Sequence, residues 1–577
     1  MYGHQRINDA VATAAAPGPA YTRAEFAAAA MRPHLSALLT QLRLDAGREG
    51  PLPDLPYRLF RAYAETGDRS EYEERYFERR RRLNSVAAVA LIDGDTSAIR
   101  RLEDILWEIC SEYSWAVPAH HRFNTTLGMG YDRCIDLFAA ETAHALAEIV
   151  TLLAEEVDGP VVRRVHNEIN RRVLSPFLDE PRARWWETAT NNWAAVCAGA
   201  AGMAGLILEK DSLRSVALIE RVQRILTSFL SGFGTDGGCS EGMDYWVYGY
   251  GYFVYYAHAL MERTGLDLLT GTEHIAAFPA AIDLGKGRCV SFSDGSDRSV
   301  PPTGLISYLT RRLGVRPPHI ARISDFDDDH CYRWAHLSRT ILWSNAEVVD
   351  SPATEGVTWL PDLAWLIARS GNGVAFAAKG GSNDEPHNHL DVGSFLLAVG
   401  GEQLITDLGA GVYDADYFGT RRYDALHTSA AGHSVPRVGG VDQICGPVAA
   451  HVVEYVEETD RVALELDLSA LYAGHPVRRR FEWDGTRLVL IDSFGSQTVD
   501  LVERFISRVK PCPGDDRIVW QHRGGSLTLH YEGEWDVMVE RIDTLDHRAH
   551  PDTVYRLTLT GATAATHGFV FVVEPGR

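Results

Sequence analysis

The spacing of apolar residues changes near residue 345. Before that point, apolar residues recur three and four positions apart in long segments such as IDLFAAETAHALAEIVTLLAEEV and SLRSVALIERVQRILTSFLSGF. This spacing places the apolar side chains on one face of an α-helix, and Gly or Pro separates successive segments. The first part of the chain is therefore predicted to consist of antiparallel helix pairs.

After residue 345 the apolar runs are short and are separated by Gly-containing turns, as in RVALELDLS, SLTLHYEG and GFVFVVEP. Such runs are typical of β-strands, and Asp484-Gly485 in RFEWDGTRLVLID predicts a tight hairpin. Helices followed by strands indicate a multidomain α+β protein. We predict an α-helical domain over residues 1–345 and an antiparallel β-sandwich over residues 346–577.

Composition narrows the class of protein further. The chain has 577 residues and a net charge of −22, which disfavours a nucleic-acid or membrane-surface partner. No apolar run reaches the roughly 18 to 20 residues that span a bilayer, and the N-terminus lacks the pattern of a secretion signal. The eight cysteines form no CxxC pair, which suits reduced thiols. The expectation is a cytoplasmic bacterial protein.

Two adjacent asparagines precede a helical segment within RWWETATNNWAAVC. Asparagine is a good helix N-cap, which is one interpretation of the pair. The neighbouring tryptophan favours another, because sugars commonly stack on flat aromatic rings and bind to amides. Asn192 and Trp193 are therefore candidates for sugar binding.

A glycine-rich turn leads into the tyrosine-rich segment TDGGCSEGMDYWVYGYGYFVYY. Most of these tyrosines are expected in a helical core, but a glycine inside a helix costs about 1 kcal/mol relative to alanine and often marks a close approach. Tyr248, which precedes Gly249, is therefore predicted to face a ligand as a general acid or base. Glu241 is expected to orient Tyr248 or to bind a sugar hydroxyl, and Tyr245 is a further candidate for substrate binding.

The segment PHNHLDVGSFLL carries two histidines two residues apart, at the predicted start of a strand. Residues i and i+2 of a strand point to the same face, so His387 and His389 are predicted to share a pocket. One histidine would then be free to bind a metal while the other transfers protons.

A metal set would combine His389 with Asp407 and His433. Two histidines and one carboxylate hold zinc with an open fourth position. If Gly400-Gly401 forms the turn of a simple hairpin, Asp407 pairs with about Ser394 and not with His389. The three metal candidates can therefore meet only if the segment before Gly393 folds back as a loop.

Arginines lie between the last two metal candidates. The segment YFGTRRYDALHTSAAGHS places Arg421, Arg422 and Tyr423 between Asp407 and His433. We expect them near the same pocket, where they would bind an anionic substrate that the net charge of the protein would otherwise repel.

Four segments together resemble the heparinase II/III-like family of polysaccharide lyases: NNWAAVC, DGGCSEGMDYWVYGYGYF, HNHLDVGSF with ITDLGAGVY, and SAAGHSVPRVGGVDQ. The resemblance implies an (α/α) toroid followed by an antiparallel β-sandwich, with the active site in the cleft between them. It also implies β-elimination at a uronic acid of an anionic oligo- or polysaccharide. The proton at C5 is removed, the glycosidic oxygen at C4 leaves, and the product is an unsaturated uronate.

The resemblance also implies roles for the candidate catalytic residues. Asn192 would stabilise the negative charge that develops on the substrate carboxylate. Tyr248 would protonate the leaving oxygen and could also remove the C5 proton. His387 would bind the carboxylate or serve as the base.

The zinc set is likewise implied by the resemblance. His389, Asp407 and His433 match positions that hold a zinc in related lyases, where the ion is often described as structural. Trp193 stands where several members of the family have a histidine. This departure leaves Tyr248 and His387 as the expected proton carriers.

The leading hypothesis is a lyase for uronate-containing oligosaccharides, with exolytic action favoured by import of short chains. One alternative is a glycoside hydrolase on the same scaffold, which needs two carboxylates roughly 5 to 10 Å apart. Glu241 and Asp244 are the one obvious pair. The other alternative is a carbohydrate-binding protein that has lost the chemistry, which Trp193 favours. A homodimer is compatible with each hypothesis.

Overall fold

The computed structural model describes residues 1–121, 130–352, 354–496, 498–562 and 565–576. Helices dominate its first part and antiparallel sheets its second, which confirms the predicted fold class. The last long helix is Trp334–Trp343, and the first strand of the large sheets is Gly356–Leu360. The predicted division at residue 345 falls between these two elements.

The α-helices of the described chain vary from one turn to six turns in length. Their bounds are His4–Ala12, Arg23–Ala30, Ser36–Ala46, Tyr57–Thr66, Ser70–Asp93, Thr96–Ser111, Pro118–His121, Leu137–Leu152, Gly159–Ile169, Ser175–Asp179, Asn192–Leu208, Ser212–Leu230, Met243–Thr264, Glu273–Ala276, Phe278–Ala281, Thr303–Leu313 and Trp334–Trp343.

The helix Asn192–Leu208 lies in the centre of the helical domain. It packs against Leu137–Leu152, Ser212–Leu230 and Met243–Thr264, and nearly all of its residues are buried. Its small residues permit this crowding. A Cβ atom at Gly202 would lie 2.6 Å from the ring of Tyr256, so a larger residue would push the two helices apart.

The sandwich domain contains three antiparallel sheets, which follow here in spatial order. Within the described residues, the five-stranded sheet is Gly356–Leu360, Trp365–Ser370, Val374–Lys379, Phe395–Val399 and Glu402–Ile405. The eight-stranded sheet is Cys512–Pro513, Arg517–His522, Gly525–Tyr531, Thr566–Pro575, Arg487–Phe494, Val477–Trp483, Val462–Asp467 and His451–Glu457. The four-stranded sheet is Asp536–Leu545, Pro551–Ala562, Asp500–Ser507 and Arg437–Val438.

A small hairpin, Asp283–Gly285 with Arg288–Cys289, lies in the helical part of the chain and contacts the sandwich through Arg369, which donates to the carbonyl of Asp283. The predicted hairpin at Asp484-Gly485 is confirmed, because Trp483 pairs with Leu488 across it. The apolar faces of the five- and eight-stranded sheets pack into one core that includes Phe376 and Phe481.

The helices of the described residues were also compared with the dimensions of a bilayer. None of them combines the length and the apolar character that a membrane crossing requires.

Candidate active site

The loop that carries the two histidines lies between the strands Val374–Lys379 and Phe395–Val399. The predicted strand geometry is wrong here, because His387 and His389 lie in a turn and the backbone of His387 is left-handed, with φ of 55°. The segment before Gly393 does fold back as a loop. The two histidines still face one pocket, but a shared partner brings them together instead of strand alternation.

That shared partner is Asp294, a wholly buried carboxylate that the sequence analysis did not single out. One oxygen lies 2.6 Å from Nδ1 of His387 and the other lies 2.9 Å from Nε2 of His389. The hydroxyls of Tyr413 and Tyr417 also donate to this carboxylate. Burial alone would raise the pKa of Asp294, but the two histidines hold it well below its ordinary value.

A buried lysine fixes the two segments that meet at this carboxylate. Nζ of Lys379 donates to both oxygens of Asp391 at 2.7 Å and to Oγ of Ser293 at 2.9 Å. Ser293 precedes Asp294 in the chain, and Asp391 follows the histidine loop. The hydrogen bond from Lys379 to Ser293 therefore joins the segment from the helical domain to the sandwich loop, and the ion pair with Asp391 holds the lysine in place.

His387 is the more accessible of the two histidines, with 18% of its side chain exposed. Its Nε2 lies 3.5 Å from a carboxylate oxygen of Glu241, and that oxygen has no hydrogen-bond partner. Burial lowers the pKa of His387, but Asp294 and Glu241 more than reverse this effect and raise it. The imidazole therefore lies between two carboxylates, at the edge of the pocket.

Tyr245, in the first turn of the helix Met243–Thr264, is the tyrosine that contacts His387. The two ring centres are 4.4 Å apart. The hydroxyl of Tyr245 lies 2.7 Å from the hydroxyl of Tyr413, which in turn donates to Asp294. A continuous polar chain therefore runs from the helical domain to the shared carboxylate.

The predicted metal residues are brought together behind this pocket. Ligand atoms of His389, Asp407 and His433 all lie within 4.8 Å of one another, and the side chains are wholly buried. Nδ1 of His433 lies 3.0 Å from Asp407, and its Nε2 lies 2.8 Å from the carbonyl oxygen of His427.

The chemistry of these donors fits a zinc ion. Because Nε2 of His389 faces the carboxylate of Asp294, it carries the proton, and Nδ1 is left buried with no partner. Metal-binding histidines usually have their second nitrogen held by a carboxylate or a carbonyl group, as Asp294 and the carbonyl of His427 do here. We call the loops over residues 386–433 that carry these groups, together with Asp294, the sandwich wall.

The opposite face of the cleft, which we call the helical wall, is formed by the first turns of Leu137–Leu152, Asn192–Leu208 and Met243–Thr264. The N-cap interpretation applies to Asn191, whose side chain accepts from the backbone of Trp193 at 3.2 Å. Asn192 is free of this role, and its buried Oδ1 has no hydrogen-bond partner.

Tyr248 lies on the helical wall, three positions after Tyr245 in the same helix. The guanidinium of Arg333 covers its ring at 3.9 Å, and its buried hydroxyl lies next to Glu141 without a hydrogen bond of good geometry. Burial and Glu141 raise the pKa of Tyr248 well above its ordinary value. Gly249, which suggested a ligand near Tyr248, instead permits close helix packing, since a Cβ there would lie 3.1 Å from Cα of Asn192.

The other predicted substrate-binding residues have different positions. Arg422 lies 3.7 Å from Asp294, and it and Tyr423 brace the histidine loop through hydrogen bonds to Asn388. Arg421 is 65% exposed at the surface, in an ion pair with a neighbouring aspartate. Trp193 packs against the rings of His120 and Trp185.

The hydrolase hypothesis requires two carboxylates available for acid and base catalysis, and Glu241 and Asp244 do not form such a pair. Asp244 accepts from Oγ of Ser299 at 2.6 Å and from the backbone of Ser296 at 3.1 Å, so its oxygens are engaged. Glu241 faces His387 instead.

The groups that sequence reasoning missed come from unremarkable segments. Asp294 lies in SFSDGSDRS, which has the composition of a surface turn, and Tyr413 lies in GVYDADYF, after the metal candidate Asp407. The position of Tyr413 shortly after Asp407 was a usable signal. Asp294 had none, because its partners His387 and His389 are 93 and 95 residues away.

Comparison with known proteins agrees with this architecture. Residues 352–534 match the family described as heparinase II/III-like, C-terminal, which confirms the resemblance seen in the motifs. No curated protein matches the chain by sequence.

Solved structures extend the likeness to the helical domain. Heparinase III matches with a TM-score of 0.64 at 13% identity, over 88% of this chain and 78% of that one. The heparan sulfate lyase HepC of Pedobacter heparinus matches with a TM-score of 0.58 at 14% identity, over 96% and 93%. A Paenibacillus xanthan lyase matches with a TM-score of 0.55 at 11% identity, over 95% and 58%. The chain therefore has the toroid-plus-sandwich fold of polysaccharide lyases.

Proposed function

We propose that the protein is a lyase that cleaves uronate-containing oligosaccharides by β-elimination. The observation that carries this proposal is the hydrogen-bonded group of His387, Asp294, Tyr413 and Tyr245 between the two walls of the cleft. It combines a cationic imidazole with a phenol that can donate a proton. The similarity to polysaccharide lyases supports the same reaction class.

The first task of such a site is to stabilise charge on the substrate carboxylate, since the C5 proton is otherwise very weakly acidic. His387 lies between Asp294 and Glu241, and two carboxylates favour the charged imidazolium. The imidazolium would pair with the uronate carboxylate, and the side-chain amide of Asn192 would donate to it from the helical wall. Preorganised groups of this kind usually supply the largest share of catalysis.

The second task is to protonate the glycosidic oxygen as it leaves C4. Tyr245 performs this step in our proposal, because its ring contacts His387 and its hydroxyl belongs to the polar chain that ends at Asp294. The sequence assigned this role to Tyr248, whose hydroxyl lies instead beside Glu141 and Arg333. Tyr248 would then shape the helical wall.

A zinc ion would be held by His389, Asp407 and His433. When bound, it would supply positive charge that fixes the sandwich wall, in a structural role. Asp294 connects this set to His387, since one oxygen faces each histidine. The shared carboxylate would fix the ring of His387 once the ring of His389 is fixed.

Contacts between the two domains support action on short chains. The backbone of Ala415, in the sandwich wall, donates to the carbonyl of Gly67 at 3.2 Å, and there is no room for a side chain at Gly67. The turn after the helix Tyr57–Thr66 thus meets the loop that carries Tyr413. Such a bridge would block one direction of the cleft, which favours exolytic cleavage from a chain end.

The test is ultraviolet absorbance during incubation with alginate, heparan, chondroitin, hyaluronan and xanthan oligosaccharides. We expect the absorbance of an unsaturated uronate to increase with one substrate class. New reducing ends without that absorbance would contradict the proposal and would favour the hydrolase.

A further inference from the structure

Another histidine lies beside the helical wall. His120, in the short helix Pro118–His121, places its ring 4.8 Å from the ring of Trp193. Trp193 directly follows Asn192, whose side-chain NH2 group is the proposed donor to the substrate carboxylate. His120 therefore lies next to the residues that would hold the substrate carboxylate.

A buried carboxylate sets the orientation of this ring. Nδ1 of His120 lies 2.8 Å from Oδ2 of Asp136, which is wholly buried and also accepts from the backbone of Ala139 at 2.7 Å. Nδ1 therefore faces an acceptor and serves as the donor nitrogen of the ring. Nε2 is then the acceptor nitrogen, as in a histidine oriented to act as a base.

Nε2 of His120 lies beside an arginine that is close in the chain to a contact with the sandwich wall. A guanidinium nitrogen of Arg69 lies 3.5 Å from Nε2, and the other face of that guanidinium is bound to Glu73 at 2.6 Å. Arg69 follows Gly67, whose carbonyl accepts from Ala415, two residues after Tyr413. Arg69 also lies near enough to Tyr413 for the charge of one to affect the other.

We infer that His120 is the base that removes the C5 proton, an assignment that rests on the proposed function. The C5–H bond breaks and its proton passes to Nε2, the electron pair forms the C4–C5 double bond, and the C4–O bond breaks with its pair on the leaving oxygen. That oxygen takes the proton of Tyr245. The imidazolium and the tyrosinate then exchange protons through solvent, which restores both groups.

Arg69 fits this assignment as a substrate-binding group. In the structure its guanidinium faces Nε2 at 3.5 Å. A uronate carboxylate in the cleft would compete for that guanidinium and leave Nε2 free for the C5 proton. Among the described residues, the charged or titratable groups that face His120 include Arg69, Asp136 and the adjacent His121, and the rings of Trp193 and Phe138 also pack against it.

The adjacent His121 provides a matched control. Nε2 of His121 lies 3.2 Å from Oγ of Ser114 and its ring stacks on Tyr131 at 4.4 Å. Burial lowers the pKa of His121 to about 4. His121 therefore lies in the same helix as His120 and is similarly buried, but its Nε2 contacts a hydroxyl group and not a guanidinium group.

The experiment compares His120→Gln, His121→Gln and His120→Ala with the wild type on the substrate identified above. We expect His120→Gln to lower kcat by about 100-fold or more, as for loss of a general base, with little change in KM or in Tm. His121→Gln should keep the wild-type kcat. Added imidazole should restore part of the activity of His120→Ala, which a purely structural role would not allow.

The outcomes distinguish a failure of the assignment of His120 from a failure of the proposed function. An active wild type whose His120→Gln variant keeps its kcat, or a folded His120→Ala variant that imidazole does not rescue, would overturn the role of His120 alone. A wild type that produces no unsaturated uronate from any substrate would overturn the proposed function itself.

Discussion

The two walls of the cleft differ in how their polar groups are paired. On the sandwich wall, His387, His389 and His433 each face a carboxylate, and the buried nitrogens without a partner are Nδ1 of His389, in the candidate metal site, and Nε2 of His427. On the helical wall, Oδ1 of Asn192 and the hydroxyl of Tyr248 are buried without partners.

This difference suggests that the two walls have different roles in binding substrate. Buried polar atoms are costly when unpaired, so their presence in a folded protein calls for an explanation such as a bound molecule. The sandwich wall has its charges in place before substrate arrives. The helical wall would complete its hydrogen bonds with the substrate, so substitutions in the two walls should have different consequences.

The largest effect is expected on the sandwich wall. His387→Ala should lower kcat by about 100-fold to 10,000-fold, because it removes the charge that the uronate carboxylate meets. Initial rates of ultraviolet absorbance measure the loss, and circular dichroism checks the fold. Near wild-type turnover in a folded variant would exclude His387 from the mechanism.

The tyrosines test which residue completes the site from the helical side. Tyr245→Phe should lower kcat by about 100-fold, because the leaving oxygen loses its proton donor, whereas Tyr248→Phe should have a much smaller effect. The two variants remove the same atom from the same helix, so each is a control for the other. A larger loss in Tyr248→Phe would restore the role that the sequence predicted.

Removal of metal should destabilise the sandwich wall. A ligand that binds only the folded state at 100 times its Kd adds about 2.7 kcal/mol to the free energy of unfolding. Chelation should therefore lower the Tm of the wild type, and zinc should restore it, while His389→Ala should not respond to either. A Tm that is insensitive to chelation, in protein shown by elemental analysis to contain zinc beforehand, would contradict the structural role.

Substitution of Asn192 should affect activity more than stability, in contrast to substitution of the metal candidates. Its Oδ1 has no hydrogen bond to lose, so Asn192→Ala should change the free energy of unfolding by only about 1 kcal/mol. Turnover should fall because the carboxylate loses its amide donor. Urea unfolding and kcat measured on the same preparation check both parts; strong destabilisation would show a structural role instead.

The smallest effect concerns pH. Burial raises the pKa of Glu141 from 4.5 to about 7, so between these values the folded protein keeps a proton that the unfolded chain releases. This group therefore makes stability fall as pH rises through that window, and contributes no further slope above it. Glu141→Gln should reduce the fall in the free energy of unfolding between pH 5 and pH 7 by about 1 to 3 kcal/mol, measured by urea unfolding. An unchanged slope would contradict this assignment.

The sequence was sufficient for the order of elements because periodicity records which side of each element is buried. It also pointed to the cluster of His389, Asp407 and His433, through the likeness to known motifs. The sequence did not distinguish Tyr245 from Tyr248. The two tyrosines lie three positions apart in one helix, and the orientation of that helix decides which ring contacts His387.

Long-range partners were beyond the reach of sequence patterns. Asp294 meets His387 and His389 because Lys379, which also pairs with Asp391, donates to Oγ of Ser293, 86 residues away in the chain. His120 had no motif around it, and only packing places it against Trp193. Such contacts depend on tertiary structure, to which local spacing contributes little.

The central claim is that bond cleavage occurs by elimination, without addition of water. The most direct measurement is mass spectrometry of the products formed in water labelled with heavy oxygen. The account predicts products whose summed mass equals that of the substrate, with no label incorporated during cleavage. Label in the new reducing end, with the mass of one added water, would contradict it.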